Sequence, residues 1–429
     1  MIQPRNVMIF PAGTEIAFEI FNALKYSKFV NIYGGTSVQD HSELVYERLI
    51  QNLPYVSDKD FLDVFNDTLI KNKIEYVYPA HDAVCMYLSE HRSEIKAEII
   101  CTEFDTVSIC RSKEKTYQFF ADEYFIPKVY SSRNPIETYP VFIKPKIGEG
   151  AKGARLVRNE DELKFFLAGN PEVIISEYLP GEEYTIDCFT DRYQNLRVIK
   201  LRDRSRIRTG ISVRSSALNA DNGITDIASR INSKLNFRGA WFFQVKKNSE
   251  GECKLMEISP RVPGTMGLSR NMGINFPLLT LFDFWGMDIN IIDNHYKIML
   301  DRAFYSAYKI DINYQHIYVD FDDTLILRGK VNTDLISFIY QAINKNKKIY
   351  LLSKHRNDIF GSLRKYKIAS EIFTEIILLN DDEEKKDYIK FPDSIFIDDS
   401  FAERYKVSES LKIPVFDVDM VESLIDWRR

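Results

Sequence analysis

Cysteine is scarce in this 429-residue chain: Cys85, Cys101, Cys110, Cys188 and Cys253 are odd in number, widely spaced, and form no C-x-x-C pair. The pattern excludes a disulfide framework and a thiolate zinc site, and fits thiols kept reduced in a cytoplasm. The six histidines include no pair at a zinc-ligand spacing. No stretch approaches the roughly 18 consecutive apolar residues of a bilayer span, and the opening MIQPRNVMIFPAG lacks the apolar run of a signal peptide. The expectation is a soluble, cytoplasmic protein with no membrane partner. Positive charge is not in surplus either. With Lys+Arg 57 against Asp+Glu 62 the formal charge is −5, so no global basic field argues for nucleic acid. A G-x-G-x-x-G dinucleotide fingerprint is absent from the first strand-to-helix turn, which carries the single glycine Gly13.

What is present points to several packed α/β domains. A hydrophobic content of 45% and a charged content of 28% are ordinary for a globular protein. The length suits two to four domains at about 100–200 residues each. Residues 1–108 alternate short apolar runs (VMIF, 29–33, 76–78, 98–102) with helical patterns, which predicts a parallel sheet. His81 and Asp82 fall just past a strand end, where open α/β sheets bind ligands, although a local helix-capping role for Asp82 is the plainer reading. From Arg111 the run RSKEKTYQFFADEYF predicts a charged helix ending before Pro127, and a domain boundary lies near its start.

The stretch 142–154, FIKPKIGEGAKGA, has the make-up of a phosphate cradle. A strand ends in Lys144, and Gly148, Gly150, Lys152 and Gly153 follow, so backbone N–H groups can approach an anion beside fixed positive charge. A glycine-rich surface hairpin is the alternative. Residues 173–189 predict two strands around a turn at Pro180 and Gly181. Arginines 202, 204, 206, 208 and 214 then alternate so as to present one cationic face to an anion, or a solvated basic edge that blocks strand pairing. The run AWFFQVKKNSEGECKLMEISPR predicts a hairpin that sets Gln244 and Glu257 on adjacent strands, with Ser259 and Arg261 on the same face as Glu257. Oxygen ligands clustered this way suit magnesium, and Arg261 would hold a transferring phosphoryl group. A last strand is expected over 303–310. From Ile317 a separate α/β pattern begins, with acidic strand ends at VDFDDT and FIDDS and a lysine-bearing helix from about 382.

Residues 112–310 resemble, in order, the ATP-grasp carboxylate–amine ligases, and residues 1–108 resemble the Rossmann-like domain that usually precedes them. The matching points are SKEKTY, IKP with its glycine loop, SEYLPGEEYTID and EISPR. The resemblance implies that Lys113 and Lys144 contact ATP phosphates and that the backbone of Glu177, Tyr178 and Leu179 meets the adenine edge. Glu183 would hold the ribose, and Gln244 and Glu257 would bind Mg2+, with Mn2+ as the alternative ion. Ser259 stands where the family usually has asparagine, which makes it a poorer second metal ligand.

Residues 315–429 resemble the haloacid-dehalogenase (HAD) phosphatases through VDFDDT, Ser353 after KIYLL, a lysine near 385, and FIDDS. That likeness implies Asp320 as nucleophile, Asp322 as acid and base, and Thr324 and Ser353 steadying the phosphoryl group. Lys385, or Lys386 beside it, would neutralise the phosphate, and Asp320, Asp322, Asp398 and Asp399 would form the magnesium set. The short spacing between these elements leaves no room for a sizeable cap.

The expected fold is therefore α/β multidomain: a pre-ATP-grasp domain over 1–108, an α+β ATP-grasp domain over 109–312, and a capless HAD-like Rossmannoid domain over 313–429. The expected activity is bifunctional, an ATP-dependent ligation of small-molecule carboxylate and amine substrates, either of them phosphorylated or not, joined to a phosphatase. A homo-oligomer is compatible with it. The alternatives are a kinase-like or carbamoyl-phosphate-type activation without amide formation, or a HAD domain that only binds.

Overall fold

The computed structural model describes residues 3–131, 135–148, 150, 152–169 and 172–428. The chain divides into two compact units, Met1–Phe304 and Tyr305–Arg429. No described helix is long and apolar enough to cross a membrane.

The first unit begins with five strands, β1 (Arg5–Phe10), β2 (Val30–Gly35), β3 (Leu49–Ile50), β4 (Tyr76–Pro79) and β5 (Glu98–Ile99), all parallel and ordered 3-2-1-4-5. Val7, Met8 and Ile9 of β1 are completely buried, as a central strand covered by helices on both faces requires. The strand order reverses at β1, so the loops leaving β1 and β4 meet at the carboxyl edge, the usual ligand position in such sheets. They touch there: the Thr14 hydroxyl donates to the Ala80 carbonyl at 2.9 Å. Thr14 also caps the helix Glu15–Leu24 by accepting from the Ala17 amide at 3.0 Å.

The helix expected from Arg111 is broken in two, Phe104–Arg111 and Lys113–Phe119, because the Ser112 hydroxyl accepts the Lys115 amide and restarts the helix there. A small antiparallel sheet follows, built from β6 (Val129–Tyr130), β7 (Val141–Pro145), β8 (Arg155–Val157) and β9 (Val173–Glu177) in the order 6-9-7-8. The glycine loop joins β7 to β8; its Glu149 and Ala151 lie outside the described residues.

A larger antiparallel sheet completes the unit: β10 (Glu183–Thr190), β11 (Leu196–Asp203), β12 (Arg206–Arg208), β13 (Ile211–Leu218), β14 (Gly239–Lys247) and β15 (Cys253–Ser259), ordered 12-13-11-10-14-15, with β16 (Met299–Asp301) on the free side of β13. The two strands around Pro180 and Gly181 thus belong to different sheets. A Cβ at Gly181 would lie 2.6 Å from that of Lys247, so glycine lets the crossing chain run against β14. No strand forms over 303–310: the pairing with β13 ends at Asp301, and Phe304 in that stretch is 89% exposed. Along β14 the alternation is clean. Trp241, Phe243 and Val245 bury against Ile224, Ile227 and Ile231 of the helix Asn222–Lys234, which turns Phe242 and Gln244 to the opposite face.

The second unit is a parallel sheet of β17 (His316–Val319), β20 (Lys348–Ser353), β21 (Glu375–Leu378), β22 (Ser394–Ile397) and β23 (Val415–Phe416), ordered 21-20-17-22-23. A hairpin of β18 (Ile326–Leu327) and β19 (Lys330–Val331) follows β17. The lysine-bearing helix expected from 382 is only a 3₁₀ turn, Lys385–Tyr388. A run as charged as DDEEKKDY has too little apolar surface to hold a longer helix in place.

Candidate functional site

Strand register builds the first site. Glu257, Gln244, Thr185 and Arg202 lie opposite one another across β15, β14, β10 and β11, and Ser259, Phe242, Asp187 and Lys200 form the next row on the same face. This face walls a cavity of about 500 Å³ whose lining also includes Lys113, Gly148, Gly150, Lys152 and Arg261. The carboxyl edge of the parallel sheet contributes Thr14, His81 and Asp82. Three sequence signals thus converge: the helix start at Lys113, the glycine loop and the hairpin.

Lys113 Nζ donates to the Gly148 carbonyl at 3.1 Å and stands 3.7 Å from Glu257 Oε2, so it ties the loop to the hairpin. Gly150 and Gly153 adopt positive φ (61° and 75°), conformations that side chains disfavour. Lys144, Gly153, Glu177, Tyr178, Leu179 and Glu183 do not line the cavity. Glu177 pairs its amide with the Lys128 carbonyl and its carboxylate with the Lys128 amide, and Tyr178 and Leu179 follow as half-buried coil. Glu183 Oε1 forms an ion pair with Arg204, 2.6 Å from its Nε.

Lys144 is buried, and its Nζ meets the Tyr117 hydroxyl at 2.5 Å, while that hydroxyl donates to the Leu255 carbonyl at 2.9 Å. Burial pushes the Lys144 ammonium down to about 7; the charge of Lys113 adds to this and that of Glu257 opposes it. An anion arriving beside Lys144 would restore its proton. Binding of an anion in the adjoining cavity is therefore expected to draw a proton onto Lys144, with the uptake growing as pH rises above neutral and fading as pH falls below it, where the lysine is already charged. Calorimetry in buffers of different ionisation enthalpy checks this, and Lys144→Met should erase it. Buffer-independent heats at pH 8 would refute it.

Asp82 corrects the capping expectation. His81 is the cap residue of the helix Asp82–Glu90, its ring accepting the Ala83 amide. Asp82 instead grips Arg261 with both oxygens, at 2.6 and 2.7 Å, and accepts the Ser259 hydroxyl at 3.2 Å. Burial alone would raise the Asp82 carboxyl, but the charge and hydrogen bonds of Arg261 outweigh it and hold the group well below the usual range. Ser259 therefore has a carboxylate partner.

The arginine run does not form one cationic face. Arg202 is clamped by Asp187 at 2.9 and 3.1 Å, Arg204 by Glu183, and Arg206 and Arg214 both meet Asp301, while Arg208 lies over the Phe304 ring. Acidic partners on β10 and at the end of β16 neutralise it. Tyr117, Thr14 and Arg302 carry no signal by which the sequence singles them out, except that Tyr117 follows Lys113 by one helical turn.

In the second unit, β20, β17 and β22 are neighbours, so their carboxyl ends bring Ser353, Asp320, Asp398 and Asp399 together. Buried Lys385 spans Asp320 at 2.8 Å and Asp398 at 2.5 Å. Lys386 turns outward to Glu384. Burial raises both carboxyls, Asp398 to about 6, against the pull of Lys385. One oxygen each from Asp320, Asp398 and Asp399 lie within 4.8 Å of one another, a hard-oxygen set that fits Mg2+. The Thr324 hydroxyl accepts the Asp399 amide at 3.0 Å, and Ser353 bonds Asp320. Asp322 is exposed and meets His355 Nδ1 at 2.7 Å, with Ser362 at 2.9 Å from the other ring nitrogen. His355 stands two residues beyond Ser353 at the same strand end, a position that could have marked it in the sequence.

Residues 169–299 match a family described as "ATP-grasp in the biosynthetic pathway with Ter operon". Over 149 residues the chain is 28% identical to the D-alanine--D-alanine ligase of Petrotoga mobilis, covering 32% of this chain and 49% of that protein. Over 135 residues it is 27% identical to the 3-methyl-D-ornithine--L-lysine ligase of Methanosarcina mazei, covering 30% and 33%. The chain thus spans half or less of the length of these curated relatives. A biotin carboxylase structure from Campylobacter jejuni superposes with a TM-score of 0.56 at 15% identity, over 70% of this chain and 75% of that one. At that identity the likeness speaks for the fold alone. With its parallel sheet, its two antiparallel sheets and the matched segment over 169–299, the protein is a mixed α/β multidomain chain with ATP-grasp-like fold neighbours.

Proposed function

We propose that the Met1–Phe304 unit is an ATP- and Mg2+-dependent ligase that activates a carboxylate as an acyl phosphate and joins it to an amine. The observation that carries this reading is the convergence of Lys113, Gln244, Glu257 and Arg261 on one cavity. The names of the two curated ligases agree with it. The acid's oxygen attacks the γ phosphorus as the bond to the β-bridging oxygen breaks and ADP departs. The amine then attacks the acyl carbon, phosphate leaves, and the nitrogen loses a proton. Lys113 holds the nucleotide phosphates, and Lys144 answers their charge by taking up a proton. Gln244 and Glu257 would hold the magnesium, which when bound would supply charge neutralisation to the transferring group. Arg261, fixed by Asp82, faces the charge that builds on the transferring group.

The Tyr305–Arg429 unit we read as a Mg2+-dependent phosphatase, on the strength of Lys385 bridging two buried carboxylates beside Asp399. Asp320 attacks phosphorus and the ester P–O bond breaks, with Asp322 protonating the leaving oxygen. Asp322 then takes a proton from the water that cleaves the phosphoaspartate. His355 positions Asp322.

ADP release with ATP and Mg2+ against a panel of acids and amines tests the ligase reading, each substrate being offered with and without a phosphate ester. Release should require both an acid and an amine and yield an amide mass. ADP formed with the acid alone would replace ligation by simple activation.

A further inference from the structure

The wall of the first cavity carries donors that the ligase chemistry leaves unused. Arg202 is 2% exposed. Asp187 occupies its Nε and Nη2, while Nη1 is buried with no hydrogen-bond partner among the described residues. Arg302 is less enclosed, its side chain 26% exposed and its Nη2 3.6 Å from Glu15 Oε2, but its Nη1 too is buried with no hydrogen-bond partner among the described residues. Its amide bonds the Val213 carbonyl at 2.7 Å, which sets it beside β13. A Cβ at Gly264 would lie 3.3 Å from Arg302 Nη1, so the glycine leaves that nitrogen its place in the wall. Both arginines line the cavity, as do Thr14, Glu15 and Ile16 at the start of the ten-residue helix Glu15–Leu24. A buried guanidinium N–H without an acceptor is costly, and two such arms with a helix N-terminus form a donor set for an anionic oxygen group.

Register gives the distance. Arg202 lies in the same row as Gln244, two strands away, and three from Glu257. At about 4.8 Å per strand, its Cα is roughly 10–14 Å from the residues assigned to the metal. Resting on the ligase reading, we propose that one of the two joined molecules carries a second anionic group, a carboxylate or phosphate monoester several bonds from the reacting atom, and that Arg202 and Arg302 bind it.

Equilibrium binding tests this on the full chain loaded with Mg2+ and β,γ-methylene-ATP, using two probe pairs: glutarate against glutaramate, and phosphoglycolate against glycolate. In at least one pair the second anion should tighten binding about ten-fold or more, and the responding pair tells carboxylate from phosphate. Arg302→Gln and Arg202→Lys, the latter keeping a cation for Asp187, should each remove that preference while the affinity for the nucleotide analogue stays unchanged as a check on folding. No preference in either pair, or a preference that survives both substitutions, overturns the proposal. Failure of the ligase reading would look different: anion preference intact, but no acceptor-dependent ADP release.

Discussion

Asp320→Asn is expected to lower phosphate-ester hydrolysis by roughly 10⁴-fold or more, as loss of a covalent nucleophile does. An amide oxygen cannot form the phosphoenzyme, and Lys385 keeps Asp398 as a partner, so the fold should survive. Phosphate release from a panel of monoesters gives the rate, and ADP formation by the first unit should not change. Hydrolysis that persists undiminished would mean that this unit is not a phosphatase of the proposed kind.

Arg261→Met should slow ADP formation about 10³-fold or more, the scale on which an arginine facing a transferring phosphoryl group acts. It should also destabilise the unit by up to about 3 kcal/mol, because Asp82 would be left without its cation, although both side chains keep 15% exposure. The two effects are separable. An Asp82→Asn/Arg261→Met chain removes the orphaned charge, so thermal stability should largely return while the rate stays low. If stability and rate recover together, Arg261 is a structural residue. Asp82→Asn alone should cost less rate than Arg261→Met, since the guanidinium remains but is held less firmly.

Local signals made much of this legible. Glycine and proline turns, capping serines and apolar runs ending in acids mark where strands stop, and chemistry in α/β sheets gathers at strand ends. The turn at 248–251 set β14 beside β15, but it takes a β-bulge between Gln244 and Val245, which no local signal announces, to bring Gln244 opposite Glu257 rather than Met256; acidic strand ends placed Asp320 near Asp398 and Asp399. Distant partners were not legible. Nothing near Asp82 announces Arg261, nothing near Arg202 announces Asp187, and the arginine run looks cationic until Glu183, Asp187 and Asp301 are brought beside it. The strand expected at 303–310 forms instead just before it, as β16 over Met299–Asp301 paired with the distant β13.

The Asp82–Arg261 grip joins residues 179 positions apart. On a ribosome adding about 5–20 residues per second, the carboxylate is made roughly 10–35 s before its guanidinium. During that interval the cavity does not yet exist, and one face of the parallel sheet stays open, because Val262, Met266, Ile274, Phe276 and Leu281, all made after Arg261, belong to the core that buries it. A chain stalled before residue 261 would therefore lack both the guanidinium that grips Asp82 and the apolar cover of its first sheet.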